Sequence, residues 1–567
     1  MSQIKNNNTN TDKTYWRSLE EKTNSDDVKS FIVNEFPEGT VELAESMSRK
    51  KFLSLMGASM AMAGLVGCRK PVQKILPYVN APEDIIPGVP NYYATTMAMG
   101  LNAYGAIVES HEGRPTHVEG NKNHPESKGS VNSFMQASIL DLYDPDRMKE
   151  PLLNSNITSY SNITDTFKNI GDNGVGMGVI SGSNNSPTTI DIYNKVKNKF
   201  SNAIWSTFDL DSKENQISGL NYSTSKNLLP IFQLDKAKVI LSIESDILGQ
   251  DQNSVHNQKT FSKSRKIKST TDSMNRLYCV ESSLTTTGMM ADHRYKIKPD
   301  EIYNFLSELN NQLKKQGLYN LENISIPKTI FDQKYKNFIK VLAGDLVLNR
   351  TKSVISIGDS MPSELHSLVF LLNQELGNNN TTVKYNSIDH AIKPDINSVR
   401  VLIDKINNKE IRDLFILDLD FVHLFSHMLN DKLSNLVSNV YYLGFHKDLT
   451  ANESTHIFPM SHYLETWGDA RSIDGTLSIV QPLIRPLYNS ISLNEFLSYL
   501  LGEKKTDHSL LKSTNIWRSK STSFNKTIHD GYLKTSVSSK TVNVKKIPVK
   551  AHKTIYLMVL ANFFFDK

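Results

Sequence analysis

Cysteine is nearly absent from this chain. Two thiols, Cys68 and Cys279, are all that 567 residues provide, and they stand far apart in the sequence. A disulfide framework, a tetrahedral zinc site and a thiolate-bound iron–sulfur cluster each need more thiols, or closer ones. Histidine does not make up the difference. His111, His117, His124, His293 and His462 follow no ligand spacing, so they are expected to be solvated or packed. A strong excess of one charge is also missing, since 64 Lys and Arg against 59 Asp and Glu leave only +5. No basic stripe alternates with aromatics, which argues against a nucleic-acid partner. Outside one segment no apolar run is long enough to span a bilayer, and the 555–565 run is too short. No complete Gly-x-Gly-x-x-Gly or P-loop occurs.

What is present starts at residues 48–71. Arg49, Lys50 and Lys51 precede an uncharged run from Phe52 to Cys68, and Arg69, Lys70 and Pro71 follow it. A basic flank, a short apolar run and a small-residue end form a secretory signal pattern. The run, about 17 residues, is at the lower limit for a spanning helix and is rich in Gly, Ala and Met, which favours an export signal over a stable span. Ser48-Arg49-Lys50-Lys51-Phe52-Leu53 resembles a twin-arginine signal with lysine in the second arginine position. Arg49, Lys50, Phe52 and Leu53 are its candidate residues. Leu65-Val66-Gly67-Cys68 resembles a bacterial lipobox, which makes Cys68 the candidate for lipidation. The expected location is the periplasmic face of the bacterial cytoplasmic membrane, anchored at its surface. A buried hairpin helix is the plain alternative.

The rest is long enough for more than one domain. Residues 1–47 read as a polar pre-signal segment and 72–91, with Pro77, Pro82, Pro87 and Pro90, as a tether. A small β-rich domain is expected over 92–150, where 106–119 reads as a hairpin turning at Glu112-Gly113. Strands alternating with helices follow: strands at 175–181, 237–243, 277–281, 353–357, 382–385, 414–418 and 440–443, and helices at 187–200 and from 362 to near 377. The pattern predicts an α/β chain with two doubly wound parallel-sheet domains, 151–345 and 346–502. Cys279 falls inside a strand and is expected to be an inert buried thiol. Residues 503–567 read as a weakly patterned tail with one edge strand at 542–550. The loops at Gly182 and Gly358 have the place, before a helix N-terminus, where a phosphate can bind. Without a full motif each reads more simply as a strand-to-helix turn.

One stretch points further. His462-Tyr463-Leu464-Glu465-Thr466-Trp467-Gly468, then Asp474-Gly475 and Gln481-Pro482, resembles the molybdopterin oxidoreductase superfamily, in which a Pro-x-x-His/Tyr-x-Glu-x-x-Gly segment leads into a Gly-bearing strand and a Gln-Pro. Ala291-Asp292-His293-Arg294 and the block from Gly120-Asn121 through His124-Pro125 to Asp146-Arg147 fit it too. With the long pre-signal segment the pattern is similar to the iron–sulfur, molybdopterin-oxidoreductase-like subunit of bacterial alternative complex III. The resemblance implies a molybdopterin oxidoreductase-like fold, and a place beside haem c and quinol-site subunits in a respiratory complex at the membrane surface. It marks Gly182, Gly358, His462, Glu465, Gly475 and Gln481 as candidates for a vestigial pterin cleft. Three departures shape the expectation. Residues 92–132 lack the cysteines that bind a cluster in active members, Cys279 lies in no molybdenum-ligand motif, and no cysteine-rich ferredoxin-like segment follows. The chain is therefore expected to be a truncated scaffold that holds no metal, no iron–sulfur cluster and no molybdopterin, with no catalytic residue. Any 4Fe–4S or 3Fe–4S clusters would belong to the missing C-terminal domain. An active molybdopterin-dependent oxidoreductase and an anchored periplasmic binding protein are the alternatives.

Overall fold

The computed structural model describes residues 85–86, 88–251, 253–318, 333–519 and 524–533. The chain divides into two units, Met1–Glu83 and Asp84–Lys567, and every described residue belongs to the second. Arg49, Lys50, Phe52, Leu53 and Cys68 lie outside the described residues, as do the 1–47 segment, most of the 72–91 tether and the 542–550 strand. Among the described residues no helix is long and apolar enough to cross a membrane.

The first element is a three-stranded antiparallel sheet of Asn91–Met99, Asn102–His111 and Arg114–Gly120. The expected hairpin is its second half. His111 faces Arg114 across the two-residue turn Glu112-Gly113, whose φ angles are +50° and +82°. Two left-handed residues match the right-handed strand twist, and glycine takes the second at no steric cost. Asn91–Met99 also pairs along its whole length, so the sheet reaches into the end of the stretch expected as tether. The helix Ser133–Leu142 packs behind it, its N-terminus capped by Asn132.

A parallel sheet and a largely parallel one, whose Leu152–Leu153 and Asn156–Ile157 edge is antiparallel, form the body. The inner strands Met177–Ser181, Val239–Ile243 and Asp413–Leu417, and the edge strand Ser353–Ile357, are buried at every residue. Such runs need cover on both faces, which helices between parallel strands supply. The helix Ile302–Lys315 shows how: Ile302, Phe305, Leu306, Leu309 and Leu313 are buried at helical spacing.

The seven-stranded sheet runs Asn156–Ile157, Leu152–Leu153, His456–Pro459, Asn439–Gly444, Asp413–Leu417, Met177–Ser181, Ile204–Thr207. The four-stranded parallel sheet runs His293–Lys296, Arg276–Glu281, Val239–Ile243, Ser353–Ile357. The two are interleaved along the chain, so the sheets do not divide at the boundary expected between 345 and 346. The chain builds both edges of the large sheet, inserts the smaller sheet, and returns for the three strands between those edges. Strand periodicity carries no record of such an excursion.

Two further differences have local causes. The strand expected at 382–385 is Val383–Ser387, and it pairs antiparallel with Leu228–Phe232 in a separate two-stranded sheet. Pro230, opposite Tyr385, lacks the N–H that a central strand needs. The expected tail is folded as far as Leu533. Helices Asp507–Ser513 and Phe524–Asp530 and the strand Tyr532–Leu533 close over the hairpin Gly468–Arg471/Leu477–Val480, with Leu511, Trp517 and Phe524 in one apolar cluster with Leu477 and Ile479.

Candidate functional site

The order of the seven-stranded sheet reverses between Met177–Ser181 and Asp413–Leu417. From the first the chain winds out to Ile204–Thr207, and from the second to Asn439–Gly444 and His456–Pro459. Loops leaving the C-terminal ends of neighbouring strands diverge at such a point and open a crevice. A cavity of about 600 Å³ lies there, reached by residues 184–186, Asp418, Asp420 and His462, and bounded by Met97 and Gly100 of the antiparallel sheet.

The helix Pro187–Lys199 starts over this crevice. Ser186 caps it and Pro187 occupies its first turn. The N–H groups of such a turn receive anions, but here the Ser186 hydroxyl takes that of Thr189, and the chain's own carboxylates take that of Thr188 and that of Ser183 in the preceding loop. Asp209 accepts from the Ser183 N–H at 2.8 Å. Asp469 accepts from the Thr188 N–H at 3.1 Å, the Thr188 hydroxyl at 2.7 Å, the Trp517 indole N–H at 2.6 Å, and the Ser186 hydroxyl. Burial pushes both carboxyls above their ordinary range, and these hydrogen bonds pull against it.

Three more aspartates face the cavity from the strand ends. Asp418 follows its strand in the left-handed region, φ +57°. It is open to the cavity yet enclosed by protein, and that desolvation pushes its carboxyl up to about 6. Asp420 accepts from the His423 N–H at 3.2 Å and from the Thr450 hydroxyl at 2.7 Å. Asp448 accepts from the Tyr442 phenol at 2.5 Å, and burial raises its pKa. Arg471 opposes them. One of its terminal nitrogens donates to the Gly475 carbonyl at 3.2 Å, its Nε is buried without a hydrogen-bond partner, and burial lowers its pKa.

The residues marked in the sequence fall in different places. Only His462 lines the cavity. Its ring accepts from the Leu464 N–H at 3.3 Å, and burial lowers its pKa to about 4. Glu465 turns away into a buried pair with Arg147, at 2.8 and 3.2 Å. Gly475, φ +89°, makes the turn of the hairpin. Gln481 ties that hairpin to the first strand, donating its N–H to the Thr95 hydroxyl and its amide to the Ala94 carbonyl. Gly182 lies in open surroundings, where an added methyl would meet only Asp209 at 3.6 Å.

Gly358 belongs to the other sheet. A Cβ there would overlap the Glu244 carbonyl oxygen, so this glycine lets two strand ends meet. The next residue, Asp359, holds the buried ammonium of Lys213. Burial would lower the Lys213 pKa, but Asp359, Asp251 and Asp211 outweigh it and hold it above its ordinary value.

Cys279 is fully buried, 3.4 Å from a Glu281 oxygen, and burial together with that carboxylate pushes its thiol far up. His124 is buried and bonded to the Ser478 hydroxyl at 2.9 Å, whereas His111, His117 and His293 are exposed or half-buried. Among the described residues no three His, Cys, Asp or Glu side chains are placed to hold a metal ion. Sequence reasoning passed over Asp209, Asp418, Asp420, Asp448, Asp469 and Arg471. For Asp418 and Asp420 a signal existed: both follow directly on the buried strand 413–417, where a parallel sheet presents its site.

No family model matches the chain. Over 70 residues it is 41% identical to the menaquinone reductase, molybdopterin-binding-like subunit, of Nitratidesulfovibrio vulgaris, a match covering 12% of this chain and 10% of that protein. The chain thus spans about a tenth of that relative's length in the match. In structure it is similar to acetylene hydratase from Pelobacter acetylenicus, with a TM-score of 0.57 and 12% sequence identity over 76% of this chain and 72% of that one. At such low identity the likeness speaks to architecture. The interleaved parallel sheets and the small antiparallel sheet before them make up a molybdopterin oxidoreductase-like fold.

Proposed function

We propose that this chain is a non-catalytic, molybdopterin-oxidoreductase-like scaffold subunit of a membrane respiratory complex, a quinol:electron-acceptor oxidoreductase of the alternative complex III type. The observation that carries this reading is the lining of the strand-end crevice by carboxylates. A pterin dinucleotide brings phosphates, and phosphates need unoccupied N–H groups or cations. Asp469 holds the Thr188 N–H at the start of the helix Pro187–Lys199, Asp209 holds the Ser183 N–H of the loop before it, and Asp418, Asp420 and Asp448 face the space beyond. Two like charges about 4 Å apart repel by about 4 kcal/mol at an effective dielectric near 20. At the second sheet the Lys213–Asp359 pair sits beside Gly358. The residues present do not fit the pterin group, and residues 92–132 hold no thiolate for a cluster.

The likeness to a menaquinone reductase subunit supports the quinone-linked setting. In this reading the chain is exported by its 48–68 signal and held at the periplasmic membrane surface, with lipid on Cys68 as one attachment. Subunits carrying haem c, the quinol site and the iron–sulfur clusters supply the electron path. The test is isolation of the tagged chain from detergent-solubilised native membranes. The reading expects constant stoichiometry with haem c and quinol-site subunits, and loss of complex assembly when the chain is deleted. A chain recovered alone with stoichiometric molybdenum and pterin would replace this reading with the active enzyme.

A further inference from the structure

Away from the cavity, buried polar atoms without partners gather in one place. Among the described residues seventeen buried side-chain nitrogens and oxygens lack a hydrogen bond, and eight of them belong to Glu126, Ser127, Asn253, His256 and Asn257. Each such atom costs about 1–3 kcal/mol if nothing meets it. Eight together mark a buried polar cluster, with the Asn102 side chain beside Glu126 and the Phe232 backbone beside His256.

Glu126 and Ser127 lie in the turn after the third antiparallel strand, and both are fully buried. Asn253, His256 and Asn257 start the helix Ser254–Arg265. Positions three and four apart share one face, so Asn253 neighbours both His256 and Asn257. His256 faces the turn, its Nδ1 3.7 Å from the Glu126 Oε2. Asn253 adds an independent sign. It stands at the N-cap, where an asparagine ordinarily accepts from the first turn, yet its side chain makes no capping bond. Its amide oxygen and nitrogen are both unpartnered.

Acceptors outnumber donors in this cluster. The Glu126 oxygens, with the Asn102 side chain beside them, the Ser127 hydroxyl and the amide oxygens of Asn253 and Asn257 can accept, while the Asn253 amide nitrogen and one imidazole N–H can donate. Asp474 adds negative charge nearby, and Lys128, only partly buried, is the neighbouring cation. Hard oxygen donors with a single imidazole suit a hard divalent ion rather than zinc or copper. Ligands about 2.3–2.6 Å from one ion stand roughly 3.2–3.7 Å apart at right angles, which matches the Glu126–His256 separation.

We infer that Glu126, Ser127, Asn253, His256 and Asn257 form a binding site for one divalent cation of the calcium–manganese class, locking the antiparallel sheet to the smaller parallel sheet's helix. The inference does not depend on the role assigned to the strand-end crevice.

The experiment uses the full chain stripped of metal by chelation and titrated with Mn²⁺, with free Mn²⁺ read by its solution EPR signal. The expected result is one Mn²⁺ bound per chain and displaced by Ca²⁺. Glu126→Gln is expected to weaken binding by about tenfold or more, and Asn257→Asp, which adds a carboxylate, to tighten it. Circular dichroism confirms that each variant is folded, and the gain in Asn257→Asp cannot come from misfolding. Exposed Glu410→Gln is expected to bind as the native chain does. Absence of stoichiometric Mn²⁺ binding would overturn the inference. So would unchanged affinity in Glu126→Gln or in Asn257→Asp, or weakening in Glu410→Gln.

Discussion

The Glu465 carboxylate takes two hydrogen bonds from Arg147, one from the His462 N–H at 2.8 Å and one from the Leu487 N–H at 2.9 Å. Arg147 also lies over the Tyr488 ring, 5.2 Å from its centre. Both charges are out of water, so removing one strands the other. Arg147→Ala is expected to cost about 3–5 kcal/mol in urea unfolding, and a loss within the scatter of surface substitutions would contradict this account of Glu465. Asp418 gives a pH-dependent case. Its carboxyl ionises near 4 when unfolded and at about 6 when folded. Between those values the folded state holds the proton more firmly, so its stability falls as pH rises. Asp418→Asn removes that penalty. The variant should melt above the native chain at pH 7, with the difference gone by pH 4; a constant difference would contradict the shift. The motif around His462 and Glu465 was legible in the sequence. That Glu465 meets a guanidinium 318 positions away was not, because a carboxylate in a motif has the same letter whether it faces a ligand or an arginine.

Glycine loops and the C-terminal segment decide matters at the scale of elements. If Gly358 serves contact between strand ends and Gly182 serves nothing steric, Gly358→Ala should destabilise by about 1–3 kcal/mol or more. Gly182→Ala should then stay within roughly 0.5 kcal/mol. Equal effects in thermal unfolding would contradict that division. Trp517→Phe keeps a ring in its cluster but removes a donor from Asp469, and is expected to cost about 1–3 kcal/mol. A neutral substitution would mean that Asp469 does not need the indole. The strands buried on both faces were readable within a residue or two, since continuous apolar runs bounded by turns allow few alternatives. Asn91–Met99 and the 507–533 elements were not, because polar, weakly periodic sequence becomes ordered there only through its partners, the 102–111 strand and the 468–480 hairpin.

For the molecule as a whole, fold class came from strand–helix alternation, while the interleaving of the two sheets did not. The chain leaves the seven-stranded sheet after Ile204–Thr207 and returns at Asp413–Leu417, and nothing local distinguishes that return from the start of a new domain. The same holds for the crevice. Its position follows from topology, but its furnishing with Asp418, Asp420, Asp448 and Asp469 appears only when the strand ends are brought together. That furnishing is the basis for proposing a scaffold in place of an enzyme, and a cofactor assay of the purified full chain tests it most directly. Molybdenum, tungsten and iron are measured by mass spectrometry, and pterin by the fluorescence of its oxidised form. The account predicts all of them far below one per chain, and one pterin with one molybdenum or tungsten per chain would contradict it.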